Sequence, residues 1–158
     1  MANVAPEAVD FVVATSATFL AFPSFSASLH SLLLLPESCG AIDIGGACVG
    51  LIQALATAKA LLSGSRHGVA LVVASEVHSR RLSSLKVPGE FRGLFGDGAC
   101  AFVLTRWESE RNNEVSQLGN FVWGCSGALS SSLRLSLADT GEIEVQFKGD
   151  QQIGRAHV

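Results

Sequence analysis

At 158 residues the chain is long enough to bury one real core, yet only 16% of it is charged, against about 25% in ordinary soluble domains, and its mean hydropathy is +0.38. A net charge of −3 leaves no basic footprint for nucleic acid, and no unbroken apolar run approaches the roughly 20 residues of a membrane helix. The charges are also lopsided: residues 1–75 hold six (Glu7, Asp10, Glu37, Asp43, Lys59, Arg66) and the remainder hold the other nineteen, so the first half is expected to be covered by another domain or subunit.

In chain order, residues 6–10 read as a helix end or loop, followed by a buried strand at 11–14. Ser24 is a good N-cap for a helix whose Phe25, Leu29, Leu32 and Leu33 fall at i, i+4, i+7 and i+8, and Pro36 stops it. A short strand at 41–44 leads into a long helix from about Cys48 to Ser63, apolar nearly all round, with Gly64 as a C-cap candidate. The unbroken apolar run at 68–75 reads as a strand inside an α/β sheet. A polar loop at 76–92 precedes Leu94-Phe95-Gly96-Asp97-Gly98-Ala99 and a strand at 100–104. Residues 107–114 are charged and loop-like, 120–123 suggest another strand, and 142–147 alternate as a half-exposed strand does. Residues 149–158 show no pattern and read as an unstructured or artefactual tail, which leaves 1–148 as the folded part.

The chemistry concentrates at Asp43-Ile44-Gly45-Gly46-Ala47-Cys48-Val49-Gly50, a strand, a tight glycine turn and a helix start. The unpaired N–H groups and positive dipole end of a helix favour an anion. A cysteine placed there is expected to ionise below its free pKa of about 8.5 and to become nucleophilic. The competing reading is a small buried hydrophobe, as many free cysteines are. The four cysteines (Cys39, Cys48, Cys100, Cys125) lack C-x-x-C spacing, which points to a reducing, cytoplasmic setting. Nothing at the N-terminus reads as a signal peptide. His30, His67 and His157 read as surface, packing or tail residues, Asp97 as a turn former, and no His/Cys combination has metal-ligand spacing.

With these residues in view, the chain resembles the ketoacyl-acyl-carrier-protein synthase III group of the thiolase-like superfamily. Four collinear segments carry the resemblance. They are Val13-Ala14-Thr15-Ser16 with Phe22-Pro23-Ser24, the Asp43 to Gly50 turn, Ala70-Leu71-Val72-Val73-Ala74-Ser75-Glu76, and Phe95-Gly96-Asp97-Gly98-Ala99. The resemblance implies an α/β, thiolase-like layered fold built of two βαβαβαββ halves. This chain would be mostly one such half, incomplete at its N-terminus and lacking the second half. It implies Cys48 as the acyl-accepting nucleophile, its N–H as part of an oxyanion hole, and Phe22, His78 and Phe95 as substrate-pocket residues, Phe22 by crossing a dimer interface. The implied reaction takes an acyl group from acyl-CoA and condenses it with malonyl-acyl-carrier protein. It needs no cofactor or metal, and the implied partners are acyl-CoA, acyl carrier protein and a second copy of the chain.

The same family places a catalytic His and Asn in its second half, and neither has a counterpart here. Two other functions therefore stand beside the condensing acyltransferase. One is a non-catalytic remnant that only binds a partner. The other is a cysteine hydrolase, since Gly46-Ala47-Cys48-Val49-Gly50 fits G-x-C-x-G.

Overall fold

Alternating apolar segments and turns assemble into two units, residues 1–78 with 96–119 and residues 79–95 with 120–158. The computed structural model describes residues 4–83, 93–106, 116–137 and 143–147. The expected 76–92 loop from residue 84 onward, the charged stretch at 107–114 and the tail at 149–158 lie outside the described residues.

The first unit is a four-stranded sheet in the order β2-β1-β3-β4, with β1 at Phe11–Thr15, β2 at Gly40–Asp43, β3 at Val69–Glu76 and β4 at Gly98–Thr105. The first three are parallel and β4 is antiparallel to β3. From β1 the chain crosses through α1 (Phe25–Leu32) to β2 on one side. It then crosses through α2 (Gly50–Leu62) to β3 on the other side of β1. Crossovers of one hand in opposite directions must place their helices on opposite faces. They do so here. Val12 belongs to a core with Val9, Leu35, Cys39 and Val69, against which Leu29 of α1 packs. Side chains alternate between the two faces along a strand, so Val13 and Thr15 point the other way, and Thr15 meets Gly50 at the start of α2. Val12, Val13, Ala14, Ala54, Ala58, Ala70 and Val72 have no exposed surface.

The second unit holds a hairpin of β5 (Leu133–Leu137) and β6 (Ile143–Phe147), and a stacked Phe121–Trp123 pair with centroids 6.3 Å apart. A short helix α3 runs His78–Ser83.

Several sequence expectations change. Ser24 does cap α1, its hydroxyl accepting the Ala27 N–H, but the helix ends at Leu32, four residues before Pro36. Its buried residue is Ser26, while Leu32 and Leu33 are exposed. The roll of α1 is set by the Asp43 carboxylate, which binds the Phe25 and Ser26 N–H groups, and not by the leucine stripe. α2 buries one face through Gly50, Ala54, Leu55, Ala58 and Leu62, and leaves Ile52, Lys59 and Ala60 exposed. Ser63 remains right-handed at its end, and the left-handed residue is Gly68 instead of Gly64. The expected 76–92 loop contains α3, 120–123 pairs with no strand among the described residues, and β5 was not foreseen.

Candidate functional site

Because β1, β2 and β3 are parallel, their C-terminal ends lie at one end of the sheet, where antiparallel β4 begins. The chain reverses its direction of travel between β1 and β3. In open α/β sheets such a reversal leaves a crevice outside the strand ends, where ligands bind. Thr15, Asp43 and Glu76 end the three strands, and the Cys48 turn follows directly from β2.

That turn is built from two unusual backbone positions. β2 runs on through an Ile44 N–H bond to the Ala14 carbonyl at 2.8 Å. Gly46 then adopts φ 132°, where a side chain is strained and where a Cβ would also strike the Gln53 carboxamide. Ala47 follows at φ 47°, a left-handed conformation that costs a non-glycine residue about 1–2 kcal/mol. Together they swing the chain into a 3-10 turn, Ala47–Val49, which runs into α2. Cys48 therefore sits in the 3-10 turn just ahead of the α-helix, whereas the sequence placed it in the helix's first turn. The turn is closed by the Val49 N–H to Gly46 and the Gly50 N–H to Ala47, so it makes no use of the Cys48 N–H. Cys48 itself is an exposed residue. Gly50 allows α2 to approach β1 closely, because a Cβ there would collide with the Thr15 hydroxyl.

The loop after β1 completes this edge. The Ser16 hydroxyl accepts the N–H groups of Thr18 and Phe19 at 3.1 and 3.0 Å. The Glu76 carboxylate accepts the Ala17 N–H at 2.8 Å and the Thr18 hydroxyl at 2.9 Å. The Thr18 oxygen in turn accepts the Val77 N–H at 2.9 Å. Further on, the Phe19 ring lies 5.2 Å from that of Phe25, Phe22 is wholly exposed, and the Phe22–Pro23 peptide is cis. His78 opens α3, half-buried, with Nε2 3.9 Å from a Glu76 oxygen. Phe95 is half-buried and belongs to the second unit. Thus Cys48, Phe22 and His78 all lie in the first unit, on segments that leave the same end of the sheet. Sequence reasoning missed Asp43 and Glu76 as clamps. A signal for Asp43 was available: a charge in so charge-poor a stretch has to be spoken for.

The remaining candidates fall elsewhere. His67 lies at the opposite end of the sheet, its Nδ1 3.1 Å from Asp10, so it cannot serve a hydrolase built on Cys48. Asp10 also accepts the N–H groups of His67, Gly68 and Val69. Burial alone would raise its pKa, but these bonds outweigh it and hold the carboxyl below its usual range. His30 Nε2 is 3.0 Å from the Pro36 carbonyl. Cys39 is buried and its thiol pushed up by burial, whereas Cys125 and Cys100 are exposed. Among the described residues no cluster could hold a metal ion, and no helix is long and apolar enough to cross a membrane.

Residues 42–127 match the family described as 3-oxoacyl-[acyl-carrier-protein (ACP)] synthase III. A beta-ketoacyl-[acyl-carrier-protein] synthase III of Histophilus somni is 30% identical over 157 residues, 99% of this chain and 46% of that protein. Among solved structures, the priming beta-ketosynthase of the R1128 polyketide pathway superposes with a TM-score of 0.73 at 28% identity, over 94% of this chain and 45% of that one. The 3-oxoacyl-[acyl-carrier-protein] synthase III of Aquifex aeolicus does so at 0.68 and 27%, over 94% and 45%. The chain thus spans about half the length of these relatives.

Proposed function

The chain belongs to the 3-oxoacyl-[acyl-carrier-protein] synthase III family, and from that premise we propose that it carries the acyl-accepting half of a condensing acyltransferase, with Cys48 as the nucleophile. The Cys48 thiolate attacks the thioester carbonyl of an acyl-CoA, and the oxygen takes up the negative charge. The carbonyl then re-forms as the CoA thiolate leaves and takes from solvent a proton equivalent to the one Cys48 released on ionising. In the second step malonyl-acyl-carrier protein loses carbon dioxide. The electron pair left as an enolate forms the new carbon–carbon bond at the Cys48-bound carbonyl and expels the thiolate, giving a 3-ketoacyl product of fatty-acid or polyketide type. Phe22 and His78 line the acyl and substrate pocket in this reading. A second copy of the chain, acyl carrier protein and a cytoplasmic setting go with it.

The observation that carries the reading is the turn itself. Gly46 and Ala47 hold left-handed backbone immediately before an exposed cysteine, at the carboxyl ends of three parallel strands. Backbone strain of this kind persists where the surroundings over-determine it, typically at functional sites. The Cys48 N–H, unused by the turn, suits a developing oxyanion. Acylation needs little more than these two groups. Condensation also needs donors for the enolate, and each such donor typically contributes about 10²–10³ in rate. The family's His and Asn have no counterpart in this sequence, so this chain alone is proposed to stop at the acyl-enzyme.

Intact-mass analysis after incubation with acetyl-CoA tests the proposal. One acetyl group on Cys48, absent from Cys48→Ala, is expected, with no ketoacyl product when malonyl-acyl-carrier protein is added. Acetylation of another cysteine, or equal acetylation of the Cys48→Ala variant, would overturn the nucleophile assignment.

A further inference from the structure

The loop after β1 presents Phe19, Leu20 and Phe22 to the outside, Phe22 with all of its surface exposed. Phe19 lies against Phe25, ring centroids 5.2 Å apart, and the backbone of this loop sets the point from which Phe19 and Phe22 project. Two carboxylates hold that backbone from the ends of neighbouring strands. Asp43 holds the far side through the Phe25 and Ser26 N–H groups, but these belong to α1, so its removal would also loosen the helix. Glu76 holds the near side through the Ala17 N–H and the Thr18 hydroxyl. Its own backbone is already paired with Gly98 of β4, so its carboxylate serves the loop and not the sheet, although one oxygen also lies 3.9 Å from His78 Nε2, a contact that Thr18→Val leaves in place. The Thr18 oxygen returns a bond to the Val77 N–H, which closes the strap on both sides.

We propose that Glu76 is the positioning residue that sets which acyl chains Cys48 accepts, by strapping residues 17–18 to the end of β3 and so fixing the place of Phe19 and Phe22. The proposal rests on the acyl-transfer reading above, with those rings as part of the wall along which the acyl chain lies. Two charge-assisted bonds to one short segment are strong enough to hold it in a single arrangement, and discrimination between apolar chains depends on how firmly the wall is held.

The test uses the full chain and two pairs of probes, N-methylmaleimide against N-hexylmaleimide and acetyl-CoA against hexanoyl-CoA, read by mass spectrometry at each cysteine. The exposed Cys125 serves as an internal reference for intrinsic reagent reactivity. In the wild type the hexyl-to-methyl ratio at Cys48 is expected to differ from that at Cys125. Glu76→Ala should move it about tenfold toward the Cys125 ratio, the scale set by loss of a hydrogen bond to a charged group. Glu76→Gln, which keeps an acceptor for the Ala17 N–H, should move it less. Cys39, buried in the wild type, must stay unlabelled if the fold survives. If it does not in Glu76→Ala, the near-isosteric Thr18→Val, which removes the other end of the strap, decides by the same ratio. A ratio at Cys48 unchanged by Glu76→Ala and Thr18→Val, or already equal to that at Cys125 in the wild type, overturns the proposal. The maleimide pair needs no acyl transfer. A shifted maleimide ratio with no acylation by either CoA ester therefore supports the strap while sinking the acyltransferase reading.

Discussion

The two ends of the four-stranded sheet solve the same problem in opposite ways. At the N-terminal ends of β1 and β3, the Asp10 carboxylate accepts three successive backbone N–H groups and faces the His67 ring, almost wholly buried beside the Val9–Val12–Leu35–Cys39–Val69 core. At the C-terminal ends, Asp43 and Glu76 also bind backbone N–H groups. The loop they hold, however, stays exposed, and the neighbouring turn after β2 contains two residues of left-handed backbone and leads to an exposed cysteine. One carboxylate closes an end of the sheet; two carboxylates hold the other end open. Stability and reactivity are thereby placed at opposite ends of the same strands.

The harshest way to break this contrast is Asp10→Ala. Three backbone donors would lose their acceptor, two of them buried. The expected loss is about 3–5 kcal/mol, a large part of the 5–15 kcal/mol that a domain commonly has, measured by urea denaturation. Asp10→Asn, which keeps one acceptor oxygen, should lose less. Because the folded pKa of Asp10 is depressed, its contribution is present above the ordinary carboxylate range and drains away as pH falls through the folded value. Unfolding midpoints should therefore fall on acidification in the wild type, and fall less steeply in Asp10→Asn. A parallel pH dependence in the two would remove Asp10 from the account.

At the open end the substitutions should act with opposite signs on adjacent residues. Gly46→Ala combines a strained φ with a collision against Gln53, and about 1–3 kcal/mol of destabilisation is expected. Ala47→Gly relieves a left-handed alanine and should stabilise by up to about 1 kcal/mol, less whatever the unfolded chain gains in freedom. If both destabilise equally, the strain assigned to the turn is not there.

The smallest effect separates the ends by reactivity alone. Brief native iodoacetamide treatment should label Cys48, Cys100 and Cys125, all exposed, well before Cys39, whose thiol is both buried and pushed up in pKa. Labelling of Cys39 at the pace of the others would mean that the closed end opens readily.

Much of this architecture could be read from residue order. The apolar runs that became β1, β2 and β3 differ from expectation by a residue or so at their ends, and the Gly-Gly-Ala-Cys turn was legible because glycines and a cysteine between a strand and a helix have few other uses. What was hidden depends on contacts across many residues. Ser26, not Leu32, is the buried residue of α1 because Asp43, 17 residues away, determines how the helix is rolled. Periodicity within a helix carries no record of that. The same holds for the Glu76 strap, and for residues 120–123, whose composition suits a strand but which pair with no strand among the described residues. β5 alternates strictly, Leu133-Arg134-Leu135-Ser136-Leu137, so its signal was present in the sequence and was overlooked.

The arrangement that places β3 directly beside β1 also constrains how the molecule comes into being. The bond from Ala17 to Glu76 joins residues 59 apart, and the Asp10 clamp spans a similar distance. During synthesis at about 5–20 residues per second, one side of β1 stays unpaired for roughly 3–12 s before its neighbour exists. Until then α1 and β2 can cover only one side of β1, and contacts of such long range form slowly even in the finished chain. The end of the sheet beside Cys48, formed by the first-made and later-made strands, therefore belongs among the last features of this unit to take shape.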